Sequence, residues 1–133
     1  MTWQCICEGA DGLVYYSWHN MRRDESAPFE ERWQDLKAVV REVAEMIPVL
    51  LSIEATPEVT VTGDAAIHWT VRTLEGANWL MMVNDALETA AATAHFADPP
   101  ARLMLGDAEL PVDGGEARLE FAPLEVKLLR WGD

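Results

Sequence analysis

The stretch Ala66-Ile67-His68-Trp69-Thr70-Val71-Arg72-Thr73, the turn residues Glu75-Gly76-Ala77-Asn78 and the run Trp79-Leu80-Met81-Met82-Val83-Asn84 decide how this chain folds. In the first run Ile67, Trp69 and Val71 share one face, while His68, Thr70 and Arg72 take the other. That is the two-residue period of a strand with one buried side. In the second run Trp79, Met81 and Val83 alternate with Leu80 and Met82, so both faces are apolar, as expected of a central strand.

The same short-strand rhythm extends to the end of the chain. Further candidates are Glu58 to Thr62, Thr93 to Ala97, Ala101 to Leu105, Glu109 to Val112, Ala117 to Ala122 and Leu124 to Trp131. Thr62-Gly63-Asp64, Asp98-Pro99-Pro100, Gly106-Asp107 and Asp113-Gly114-Gly115 supply turn chemistry between them. Strands this short and this closely spaced predict an antiparallel β-sandwich or small barrel over residues 55–133.

Residues 1–54 read differently. Trp3 to Glu8 predicts a helix end stopped by Gly9, and Leu13-Val14-Tyr15-Tyr16-Ser17-Trp18 predicts a strand apolar on both faces. After a polar loop, Phe29, Trp33, Leu36, Val40, Val43 and Ile47 recur at helical spacing. Glu31, Arg32, Asp35, Lys37, Arg41, Glu42 and Glu45 lie opposite them, and Pro48 is the expected stop. Ser26 and Pro28 suit the helix start, with Glu30 and Glu31 complementing its dipole. The expected class is therefore α+β, a helix–strand–helix segment followed by an antiparallel sandwich. One doubly apolar strand without a partner leaves backbone groups unpaired, so this first segment is not expected to be self-sufficient.

Composition narrows the function classes. Among 133 residues, 10 are Lys or Arg and 23 are Asp or Glu, a net charge of −13 divided as −5 and −8 at the 54/55 boundary. Neither half is a basic arm, so neither nucleic acid nor an anionic membrane is an expected partner. No apolar run approaches the ~20 residues of a membrane helix, and Met1 to Cys7 carries no signal-peptide pattern. Cys5 and Cys7 read as small apolar residues at a helix end. His19, His68 and His95 fall on different elements, and no phosphate loop, dinucleotide fingerprint or nucleophile elbow is present. Neither a metal nor a cofactor is expected.

The run Cys7-Glu8-Gly9-Ala10-Asp11-Gly12-Leu13-Val14-Tyr15-Tyr16-Ser17-Trp18 resembles the last helix-to-strand step of barrel glycoside hydrolases. Phe29-Glu30-Glu31-Arg32-Trp33 through Ile47-Pro48-Val49-Leu50-Leu51 resembles the closing helix of such a barrel. Val71 to Trp131, with Trp79 to Asn84 and Phe121-Ala122-Pro123-Leu124-Glu125-Val126, is similar to the sandwich often appended after it.

The resemblance implies a C-terminal part of a glycoside-hydrolase-like (β/α)8-barrel protein. Its catalytic carboxylates would sit on earlier barrel strands, so none is assigned in this chain. The implied substrate-binding residues are Trp18, as a platform for a sugar ring, with His19 and Asn20 as polar neighbours and Arg22 or Arg23 further out. Expected partners are a carbohydrate, the remainder of a barrel protein, or a second copy. The competing expectation is a stand-alone sandwich module that binds carbohydrate or a partner protein, with Trp131 as an exposed aromatic.

Overall fold

The computed structural model describes every residue except Asp11, Tyr16, Ser17, Asp24 and Asp133. Three helices precede eight strands: α1 (Thr2–Cys7), α2 (Trp18–Arg23), α3 (Phe29–Leu50), β1 (Val59–Gly63), β2 (Ile67–Leu74), β3 (Ala77–Asn84), β4 (Ala90–Phe96), β5 (Leu103–Leu105), β6 (Ala108–Leu110), β7 (Glu116–Phe121) and β8 (Val126–Gly132). The strands form a three-stranded sheet ordered β1-β4-β7 and a five-stranded sheet ordered β2-β3-β8-β5-β6. Every pairing is antiparallel. The fold is α+β with a sandwich-like arrangement.

The β2–β3 connection is tighter than the sequence suggests. Leu74 pairs with Ala77, so only Glu75 and Gly76 form the loop. Both have positive φ, 52° and 84°, the geometry of a type I′ turn that matches the strand twist. The Glu75 N–H donates to the Glu54 carboxylate at 3.0 Å, which helps hold a non-glycine residue in that conformation. The resulting register sets Arg72 opposite Trp79 and His68 opposite Val83.

Strand β3 has apolar side chains on both faces because it separates two cores. Leu80 and Met82 point between the sheets, joining Phe96, Leu103, Phe121, Leu129 and Trp131. Met81 and Val83 point outward, where Trp3, Ile6, Met46 and Val49 of α1 and α3 cover them. Full burial of such side chains contributes roughly 1.5–3 kcal/mol each. The helical segment is thus a third layer over the outer face of the larger sheet.

Two expectations for residues 1–54 are corrected. Residues 12–15 form no strand and Trp18 opens a helix, while Tyr16 and Ser17 lie outside the described residues. The order among described residues is helix–helix–helix, with no strand in this segment. With no partner edge, a strand would leave its ladder groups unmade; here Leu13 packs on the outer core while Val14 and Tyr15 stay in solvent. Second, Pro48 does not end α3, which continues to Leu50. The proline gives up one bond, its own to the carbonyl four residues back, and the next residue, Val49, is buried against the sheet, which offsets that loss.

Helix α1 ends as expected at Gly9. The Gly9 N–H reaches the Ile6 carbonyl at 3.0 Å and the Ala10 N–H reaches Cys5 at 2.9 Å, with Gly9 at φ 89°. This is a Schellman closure, which only a residue tolerant of positive φ makes without strain. Helix α3 starts after Pro28 with no side-chain capping bond, and Glu30 and Glu31 occupy its first turn.

Candidate functional site

Helix α3 packs on the sheet only towards its C-terminal end. Met46 and Val49 are buried, whereas Trp33, Leu36 and Val40 line a groove walled on its far side by Val14, Tyr15, Trp18 and Met21. The groove has a volume of about 940 Å³, within the range of small-ligand sites. Aromatic rings line much of its length. Trp18 meets Phe29 edge-on at 6.0 Å, and Phe29 stacks on Trp33 at 6.2 Å with 12° between planes.

Two cations lie against these rings. The Arg22 guanidinium lies 4.7 Å above Trp18, and the Lys37 ammonium 5.9 Å from the centre of Trp33. Arg32 donates through Nη2 to the Met21 carbonyl, tying α3 to the end of α2.

The residues singled out from the sequence divide here. Trp18 and Asn20 line the groove, and Trp18 remains 51% exposed. His19 is exposed but does not line it. Arg22 stands over Trp18 as an outlying cation, and Arg23 is exposed at the helix end. Trp33, read as a core residue, is only half-buried and lines the groove instead. Its helix docks through the neighbouring face, Val43, Met46, Val49 and Leu50.

Trp131 moves the opposite way. It is buried between the sheets, edge-on to Phe96 at 5.2 Å, and offers no surface for a sugar. The β8 register explains this: Leu129 and Trp131 share the inward face, so Trp131 lies over the core although it is close to the chain end.

A polar cluster that the sequence did not reveal joins α1 to the large sheet. His68 Nδ1 donates to Glu8 Oε1 at 2.6 Å, and Nε2 donates to Asp85 Oδ2 at 3.0 Å. Gln4 Nε2 donates to the same Asp85 oxygen at 2.7 Å, which leaves the two nitrogens of Gln4 and His68 3.5 Å apart. A ring that donates from both nitrogens is an imidazolium. The hydrogen bond to Glu8 pushes the His68 pKa up, burial opposes it, and Asp85 adds to the rise.

The two carboxylates occupy opposite edges of the ring, so they clamp it rather than converge on a common centre. No cluster among the described residues has three side chains arranged to hold a metal ion. The placement of His68 on the outward face was legible, because it alternates with Trp69. Asp85 continues the outward face of Val83 and becomes its diagonal neighbour only once the register is known. Glu8 arrives from a separate helix and carries no sequence signal.

The Cys7 thiol is not activated. Cys7 lies under the helix with its Sγ 3.7 Å from the Met81 carbonyl oxygen, and burial pushes its pKa to about 12. No helix among the described residues is long and apolar enough to cross a membrane.

Comparison with known proteins finds no matching family model and no matching curated protein. Among solved structures the chain is similar to Gan42B, a GH42 beta-galactosidase from G. stearothermophilus, and to a catalytic mutant of that enzyme. Each match has a TM-score of 0.43 and 12% identity, covering 75% of this chain and 13% of the other. The chain thus spans about an eighth of the length of those proteins.

Proposed function

We propose that this chain is a non-catalytic accessory unit of a glycoside-hydrolase-like protein. In this reading residues 1–54 are the barrel-side segment, residues 55–133 are the sandwich, and the Trp18 groove contributes to carbohydrate binding. The observation that carries the reading is the uncovered aromatic groove along α3. Flat rings offer the apolar face that stacks on a pyranose, and Asn20 and Arg22 lie within the same neighbourhood for its hydroxyls. The sequence resemblance of residues 71–131 to the sandwich appended to such barrels supports the same assignment.

The non-catalytic part rests on the carboxylates. A glycosidase needs two of them flanking a bond, about 5–9.5 Å apart depending on mechanism. Glu8 and Asp85 are instead engaged by His68, and neither lines the groove.

The test is titration of the purified chain with soluble oligosaccharides of several linkages, observed at the tryptophan indole N–H resonances. Saturable shifts at Trp18 and Trp33, lost in Trp18→Ala, are expected. Absence of any shift at those indoles across the panel would refute the carbohydrate role. Hydrolysis of a glycoside, abolished by Glu8→Gln or Asp85→Asn, would refute the non-catalytic assignment.

A second reading, a module that docks a partner protein or another copy of itself, is favoured by one observation. Val14, Ile47, Leu51 and Ile53 expose apolar side chains around the same helix. Concentration-dependent self-association in sedimentation, without glycan shifts, would select it.

A further inference from the structure

A second crevice lies between α1, α3 and the outer face of β2, and it differs chemically from the aromatic groove. Its volume is about 410 Å³, and its walls include Ile6, Leu13, Val43, Ile47 and Leu50. Arg72 is the one charged side chain among its described lining residues. The guanidinium is held from one side only. Nη1 donates to Thr70 Oγ1 and to the Val71 carbonyl, both at 2.8 Å. These two bonds fix the plane of the group and leave the Nε–Nη2 edge, the fork that grips a carboxylate, without a protein acceptor among the described residues.

Among the described residues Arg72 forms no ion pair, in a chain with 23 acidic residues. Each of the other cations that touch the large sheet has its own arrangement. Lys127 pairs with Glu125 at 2.7 Å, and Arg102 with Glu109 at 3.1 Å. Arg130 lies over Trp79, the cross-strand neighbour of Arg72, and so adds positive charge to the same face.

We propose that this crevice binds a medium-chain aliphatic monocarboxylate, with the alkyl chain along Val43, Ile47 and Leu50 and the carboxylate on the free edge of Arg72. The walls are branched aliphatics with few hydrogen-bonding groups, which suits an alkyl chain and disfavours a sugar. The hydroxyl of Tyr15, the other polar side chain among the described lining residues, is already engaged by Thr2 Oγ1 at 3.0 Å. The volume lies near the lower end of the roughly 300–1,000 Å³ seen for small-molecule sites, which favours a tail of about eight to twelve carbons.

The probe is decanoate, kept below its micelle-forming concentration, with decanol and decyltrimethylammonium as uncharged and cationic controls. Binding is read by calorimetry and by the carboxyl carbon resonance of labelled decanoate. Decanoate should bind at a single site about tenfold or more tighter than decanol, as expected of a charge-assisted pair, and the cation should bind weakest. Arg72→Gln should remove that advantage and leave decanol within about twofold, and Arg72→Lys, which lacks the fork, should fall between. Val43→Glu should weaken decanoate and decanol together. If Arg72→Gln does not fold, the decanoate-to-decanol ratio on the unaltered chain and Val43→Glu decide the matter. Equal binding of decanoate and decanol, or binding untouched by Val43→Glu, would overturn the proposal. So would a dimer in sedimentation that decanoate does not dissociate, because a second copy would then fill the crevice.

Discussion

Replacing His68 with phenylalanine keeps the ring volume and removes both donors from the clamp between α1 and the sheet. On the Glu8 side the contact is short, 2.6 Å, but that carboxylate is 64% exposed and water replaces the donor readily. Solvent screening holds such a bond to about 0.5 kcal/mol. On the Asp85 side the carboxylate is only 30% exposed, and Gln4 remains as a second donor. Losing one of its two charge-assisted bonds costs about 1 kcal/mol. His68→Phe should therefore destabilise the chain by about 1–2 kcal/mol at pH 5.5.

The pH dependence follows from the direction of the shift. The folded-state pKa of His68 is raised above its ordinary value, with the Glu8 hydrogen bond as the main cause. The stabilisation is then complete below the unfolded value near ~6.5 and is lost as pH rises through the folded one. Glu8 and Asp85 face the ring from α1 and from the end of β3, and Arg72 lies further along its own strand face. Urea unfolding of the unaltered chain and His68→Phe at pH 5.5, 7 and 8.5 measures the gap between them. Comparing two proteins cancels the general effect of the −13 charge on stability. The gap should be widest at pH 5.5 and narrow steadily towards pH 8.5. A gap that is constant over this range, or that widens upwards, would refute the imidazolium clamp.

Other perturbations probe the sandwich. Asn84 is fully buried; its Nδ2 donates to the carbonyls of Glu88 and Ala122, and its Oδ1 accepts from the Ala86 N–H. Asn84→Ala leaves those groups unpaired and should cost about 3 kcal/mol in denaturant unfolding. Gly63→Ala should cost about 2–3 kcal/mol, because the added Cβ would meet the Ala91 carbonyl oxygen at 2.3 Å and Ala92 Cα at 2.7 Å. Calorimetric melting checks it, and an unchanged midpoint would mean that the two strands can separate freely. Trp131→Ala should cost about 3–5 kcal/mol by chemical unfolding, as expected for a large side chain between two sheets; a loss below 1 kcal/mol would contradict its place in the core.

Where local pattern carries the information, the sequence was sufficient. Each of the eight strands overlaps a run read as a strand, most of them separated by turn residues, because strand alternation and turn chemistry depend on near neighbours. The doubly apolar pattern of Trp79 to Asn84 announced a central strand, although not which layer would cover each face. The helix ending at Gly9 and the start of α3 were also legible from capping and spacing.

The site was less legible. Trp18 and Asn20 do line a groove, but the sequence could not tell that Trp33 would join them rather than enter the core. Helix periodicity identifies an apolar stripe wider than the part a sheet can cover. Which part is covered depends on how α3 sits on β2 and β3. Leu13 to Trp18 was misread for a related reason: apolar alternation specifies a strand only if an edge is available to pair with it.

By itself, then, the sequence determined the α+β class, the strand boundaries within one to three residues, and the acidic character of the chain. These follow from composition and from interactions between residues close along the chain. Only the tertiary structure decided which faces are covered, that Trp131 is buried, and that Glu8, His68 and Asp85 meet. It alone showed that Arg72 borders an apolar crevice with one edge of its guanidinium unbonded among the described residues. Those facts arise from contacts between elements up to about 80 residues apart, such as Gln4 with Asp85, and are settled by sheet register and helix placement.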